Sequence, residues 1–259
     1  MQLEEFQNAL SSLPVKEWAV IFLMGWLAQK KLPNVETSQS IRGYILNICY
    51  IILYLGIMFL IYEPIKTLLR SLMTLLGLSP LFSLKFIDAT NWIGLLPISL
   101  ILLITNDFFY YWWHRLQHRV PWLWDQHVVH HSDDEMNILS GARVHWTEIA
   151  FQAFAIGLPM KILVIAGSKD AFILAGVWTT WNILAHSNVR LSFGRFYWVI
   201  ISPQYHRIHH SILPIHRDKN FASIFPIWDL MFGTYFHPEP DEYPPTGVEN
   251  VKLEQIRFK

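Results

Sequence analysis

Long apolar runs broken by short polar clusters dominate the chain. Four of them, roughly 43–63, 93–113, 149–166 and 170–187, approach the 20 or so apolar residues that an α-helix needs to cross a bilayer. A fifth run at 17–29 is shorter and predicts either another span or a helix lying in the interface. Residues 71–82 and 193–201 are too short to cross, and the first of these reads as a re-entrant or interfacial piece. Gly167-Ser168 predicts a tight hairpin between the third and fourth spans. The expected fold class is therefore an all-α integral membrane protein with about four transmembrane helices.

Composition supports this: 53% of residues are hydrophobic and 15% charged, whereas soluble domains carry about a quarter charged residues. No linker, repeat or charge run divides the 259 residues. They read as one membrane domain, with N-terminal membrane helices over 1–92, a histidine-bearing region over 93–236 and a tail over 237–259. Lys and Arg balance Asp and Glu at 20 each, which gives no reason to expect nucleic acid as a partner. The single cysteine, Cys49, excludes an intrachain disulfide and a thiolate cluster. Glu4 and Glu5 open the chain where a cleavable signal would be basic.

Charge placement orients the spans. Lys30, Lys31, Arg42, Arg115, Arg119, Arg143, Arg190, Arg195, Arg207, Arg217 and Lys219 fall on one side, with Lys66, Arg70, Lys85 and Lys169 on the other. The positive-inside rule makes the first side cytoplasmic. It also holds most of the histidines.

Eight of the 12 histidines form three groups: His114 and His118; His127, His130 and His131; and His206, His209 and His210. On a helix, positions i, i+3 and i+4 share a face, so each group presents two or three imidazoles in one direction. The first group continues out of the 93–113 span and stops before Pro121. The third begins at Ser202-Pro203, an N-cap followed by proline at the first helical position, and Pro214 limits it to about three turns. Crowding so many imidazoles beside a membrane costs desolvation unless a metal takes up their lone pairs. Eight are too many for one ion, since catalytic zinc uses three protein ligands. Two ions with open positions fit, and a lipid environment rich in C–H bonds favours iron. A metallohydrolase using zinc lacks its HExxH pair here, and a metal transporter would spread histidines along a path across the bilayer.

The pattern HxxxH, HxxHH and a later HxxHH, with Asp107-Phe-Phe-Tyr-Tyr-Trp-Trp-His114-Arg115, Asp218-Lys-Asn220-Phe221 and Trp228-Asp229-Leu-Met-Phe-Gly233-Thr-Tyr235, resembles the fatty acid hydroxylase/sterol desaturase superfamily over about 105–236. The resemblance implies a non-haem di-iron enzyme in the endoplasmic reticulum or a bacterial inner membrane. Such an enzyme uses O2 and two electrons to hydroxylate or desaturate a fatty acyl chain or sterol. It implies His114, His118, His127, His130, His131, His206, His209 and His210 as ligands, with His186 as a ninth. Asn182 stands where some members have a further histidine. His145 resembles a recurring element that either binds metal or supports substrate. Asp107, Asp125, Glu148, Asp218 and Asp229 are candidates to orient the ligand rings. Trp112, Trp113, Trp122, Trp124, Trp178 and Trp181 read as interfacial aromatics. No flavin or dinucleotide fingerprint occurs, so a separate cytochrome b5 or ferredoxin is the expected electron donor.

Overall fold

The computed structural model describes residues 15–32, 40–83, 92–165 and 168–248. Among these residues the regular structure is helical apart from one two-residue parallel pairing, β1 (Phe82–Ser83) with β2 (Val164–Ile165), and an isolated bridge between Ser211 and Thr246. Helix α1 (Val15–Lys31) precedes α2 (Ile41–Leu75), the one described helix long and apolar enough to cross a membrane. Only 6% of its most apolar stretch is buried. Most of its leucines and isoleucines face outward, the reverse of the core helix of a soluble protein.

Helix α2 runs past the expected end of the first span at 63, through Pro64, to Leu75. Residues 71–75 are thus its last turn and not a separate interfacial piece. Leucine, methionine and lysine after Pro64 are good helix formers, and Leu69 is buried against the rest of the fold. The helix stops at Gly77, which takes the left-handed conformation at φ 63°. Gly77 N–H donates to Thr74 O and Leu78 N–H to Met73 O, the paired closure of a Schellman motif.

Helix α3 (Trp92–Arg119) carries the first histidine group and ends at Val120, after which Pro121 opens α4 (Pro121–His131) as its first residue. The expected third span is a composite: α5 (Trp146–Gln152), a π-helical turn over Ala153–Gly157 and α6 (Leu158–Leu163). Helix α7 (Ser168–Ala185) packs against α3 and α8. Residues 194–198 form a 3₁₀ turn. The expected hairpin at Gly167 and the charge at Lys85 lie outside the described residues.

Helix α8 (Pro203–His209) is about two turns long, shorter than the three expected, because the chain turns at His210 ahead of Pro214. Ser202 caps it through a bond from Tyr205 N–H. A last short helix, α9 (Ile227–Met231), supplies Asp229. Beyond it, residues 239–247 form a strap across α8. Gln204 donates to the carbonyls of Glu239 and Glu242, Arg207 donates to Pro244 O, and Gly247 N–H donates to His210 O. His216 and Glu242 pair at 2.9 Å beside it. Residues expected to be tail therefore brace a histidine helix. Arg143, paired with Asp133 at 3.3 Å, and Arg207 are buried, so neither is a surface charge of the kind the positive-inside rule counts.

Candidate metal centre

The nine histidines singled out in the sequence meet in two adjoining clusters. His114, His118, His127, His131 and His209 form one, and His130, His186, His206 and His210 the other. Within each, one nitrogen per ring lies within 4.8 Å of all the rest. Helix periodicity explains the division. Neighbouring residues on a helix point about 100° apart, so in α4 the i, i+4 pair His127 and His131 faces the first cluster while His130 faces the second. In α8, His206 and His210 face the second cluster and His209 the first. A single group therefore does not aim three rings one way, as the spacing suggested; each HxxHH group serves both clusters. His131 and His210 stack across the boundary with centroids 4.4 Å apart.

The far nitrogen of most rings is anchored. Nδ1 of His114, His130, His186 and His209 donates to the backbone oxygens of Phe221, Arg143, Asn182 and Lys219 at 2.8, 3.2, 2.7 and 2.8 Å. A carbonyl only accepts, so in these four rings the proton sits on Nδ1 and the Nε2 lone pair points inward. His127 Nδ1 uses Glu148 Oε2 at 3.2 Å, and His118 Nδ1 lies 3.6 Å from Asp218. Asp218 and Asn220 both adopt left-handed backbone, φ 58° and 59°, a conformation in which Asp and Asn are enriched. The turn they make aims the Lys219 carbonyl at His209.

The inward nitrogens fit metal ions. Nε2 of His114, His127, His209 and His210 is fully buried with no hydrogen-bond partner. In the second cluster, His130 Nε2 lies 3.2 Å from His186 Nε2, which is 3.0 Å from His206 Nε2. Two bare lone pairs this close repel unless a cation lies between them. Two nitrogens bound about 2.1 Å from one ion at roughly 90–110° are about 3.0–3.4 Å apart. Burial, reinforced by neighbouring imidazoles, holds His118, His130, His131, His206 and His210 well below the ordinary histidine range, and burial brings His209 to about 3. These six donors are thus neutral, as metal ligation requires.

The remaining candidates divide. Glu148 also accepts from Gln117 at 2.6 Å, and Gln117, unremarked in the sequence, is buried one helical turn from His114. Asp107 accepts from the backbone of Ser223, Ile224 and Phe225. Asp229 accepts from Phe221 and Ala222 N–H, Tyr205 and Thr234. Neither carboxylate touches a clustered ring; both fix the loop that carries the Phe221 carbonyl. His145 caps α5 through Thr147 and joins neither cluster. Asn182 contributes its backbone oxygen, and Gly141 leaves room for it: a Cβ there would come within 2.6 Å of Asn182 Oδ1 and 3.0 Å of His186 Nδ1. Asp125 makes no ion pair with a histidine among the described residues. Of the tryptophans, Trp112 and Trp122 are exposed, but Trp124 packs on His118 and His131 with centroids 5.0 and 5.4 Å away.

The fatty acid hydroxylase family model matches residues 99–234, which is 136 of the 259 residues and includes all nine clustered histidines. An ornithine lipid hydroxylase of Rhizobium tropici is 28% identical over 56% of this chain and 44% of its own. An alkylglycerol monooxygenase of Danio rerio is 34% identical over 52% of this chain and 30% of its own. The chain thus spans less than half the length of these two relatives. A cholesterol 25-hydroxylase-like protein of Danio rerio is 29% identical over 51% of this chain and 53% of its own. No solved structure matches. With more than half its length matched, the chain belongs to the fatty acid hydroxylase family.

Proposed function

We propose that this protein is a membrane-embedded, O2-dependent oxidoreductase that hydroxylates a lipid at a pair of irons, one held by each histidine cluster. The observation that carries this reading is the set of buried, neutral nitrogens converging in two clusters with their far sides anchored. The relatives carry names of lipid hydroxylases and monooxygenases, which favours hydroxylation over desaturation of a fatty acyl chain or sterol.

The first iron would be held by His114, His118, His127, His131 and His209, and the second by His130, His186, His206 and His210. When bound, the iron pair supplies the chemistry that activates O2 against an aliphatic C–H bond. The chain's own work is to fix ring tautomers through the carbonyls of Phe221, Arg143, Asn182 and Lys219, and through Glu148. It also excludes water, since the clustered rings are almost wholly buried. An external cytochrome b5 or ferredoxin would deliver the two electrons.

The outward-facing leucines and isoleucines of α1, α2 and α3, such as Leu23, Ile52, Leu60 and Leu96, support a bilayer environment. We place four spans at 43–63, 93–113, 149–166 and 170–187, with the histidine cap on the cytoplasmic side. Purified protein should hold two irons and consume O2 with a lipid substrate, read by metal analysis and lipid mass spectrometry. His130→Ala should lose the second iron and the activity. Retention of both, or exchangeable zinc without oxidation, would overturn the reading.

A further inference from the structure

A cavity of about 450 Å³ lies between α2, α3, the α5–π–α6 segment and α7, within the size range of small-molecule sites. Its inner end is marked by Tyr110, whose ring lies 5.2 Å from that of His114 and 5.1 Å from that of Trp178. Its outer end is marked by Lys66 on α2 and Lys161 on α6. Tyr54 to Lys66, and Ile149 to Lys161, are each twelve positions, so the cavity extends roughly 18 Å along the helices. Ile149 follows Glu148, which bonds a clustered histidine, so the lysines stand at the end away from the metal centre.

The walls between are mostly apolar, and two of the residues on the α5–π–α6 side are small. Ala153 and Gly157 line it from the π-helical turn, and a Cβ at Gly157 would meet nothing within 4 Å. Irregular turns of this type occur mostly where a helix has been adapted to a function. At the mouth, Glu63 takes up Lys66 at 2.7 Å. Lys161 is exposed and has no carboxylate within 4.0 Å among the described residues. Among the described residues the mouth therefore keeps a net positive charge, on the side that the positive-inside rule leaves poor in Lys and Arg.

We infer that this cavity holds one long aliphatic chain with an anionic head group: the head at Lys66 and Lys161, the chain running inward past Gly157, its distal carbons beside Tyr110. The inference rests on the proposed hydroxylase reading only in that those distal carbons are the ones offered to the metal centre. The head group is a carboxylate or a phosphate, which are alike in charge.

The test is binding of palmitate, 1-palmitoyl-lysophosphatidate and uncharged hexadecanol to the purified full chain in a neutral maltoside detergent. At least one anion should bind ten or more times tighter than hexadecanol. The tighter of the two identifies the source, a free fatty acid or a phospholipid. Lys66→Gln with Lys161→Gln should erase that preference and leave hexadecanol within twofold. Gly157→Leu should weaken all three tenfold or more. Equal binding of the three chains, an unchanged preference in the lysine variant, or no effect of Gly157→Leu would each overturn the inference. Metal content and O2 consumption report separately. Anion-selective binding in a protein that neither holds iron nor oxidises lipid would refute the hydroxylase reading and leave the cavity assignment standing.

Discussion

Glu148→Gln separates the two clusters by experiment. Oε2 of Glu148 accepts from both Gln117 and His127, while Oε1 is buried with no partner. A glutamine placed with its oxygen at Oε2 keeps both acceptor positions, removes the negative charge and leaves its NH2 unpaired where Oε1 was. A hydrogen bond to a charged group contributes about 1.5–3 kcal/mol. A neutral acceptor contributes about 0.5–1.5 kcal/mol, so the variant weakens the support behind His127 by about 1–1.5 kcal/mol, roughly tenfold in affinity, the lower end of the roughly 10–100-fold typical when such a partner is lost outright. The loss should fall on the cluster of His114, His118, His127, His131 and His209. The other cluster takes its anchors from the Arg143 and Asn182 carbonyls and should be spared. Titrating the metal-free protein with cobalt(II) or iron(II) under an exchanging chelator resolves two binding steps in the wild type. One step should move by about tenfold in the variant and the other by less than about twofold. Equal weakening of both steps, or of neither, would refute the assignment of Glu148 to one centre.

Asp229→Ala leaves four donors without their acceptor, at about 1–3 kcal/mol each; it should prevent accumulation of folded protein in an expression and solubility assay, whereas Asp229→Asn should fold with a lowered melting temperature. Metal-free protein should lose stability as the pH falls. An unfolded histidine takes up a proton near pH 6.5, while the buried clustered rings resist it down to about 3 for His209. The unfolded state therefore binds more protons throughout that window, and each such ring costs up to about 1.4 kcal/mol per pH unit; denaturant melts between pH 7 and 4 check this, and a flat profile would contradict it. Gln204→Ala frees three carbonyl contacts of the strap and should speed metal loss from the cluster of His206 and His210 severalfold in a chelator chase, with little change at the other.

The imidazoles were readable from spacing because a helix turns an i, i+4 pair to one side whatever surrounds it. Their division was readable only in part: that His130 and His131 serve different clusters follows from a step of about 100° per residue, but which cluster each joins depends on how α3, α4 and α8 meet. The anchoring groups were mostly hidden. Carboxylates are visible as residues, and of the five candidates Glu148 and Asp218 face clustered rings while Asp107 and Asp229 hold backbone instead, yet four of the anchors are backbone oxygens, which every residue carries. Asp218 and Asn220 around Lys219 belong to a sequence motif, and only their left-handed backbone explains why they flank that position. In α2, the apolar run marked a membrane helix but not its length, since Pro64 reads as a stop and is carried within the helix.

The strap over α8 sets an order of events during synthesis. The cluster that includes His206 and His210 depends on a helix whose bracing carbonyls lie at 239–244 and whose last contact among the described residues comes from Gly247. None of these exists when α2 and α3 leave the ribosome, because chains emerge from the N-terminus. The apolar helices thus enter their surroundings while the second centre is still incomplete. On the proposed reading, loading of that centre is a late step in the protein's life, and residues 239–247 are what permit it.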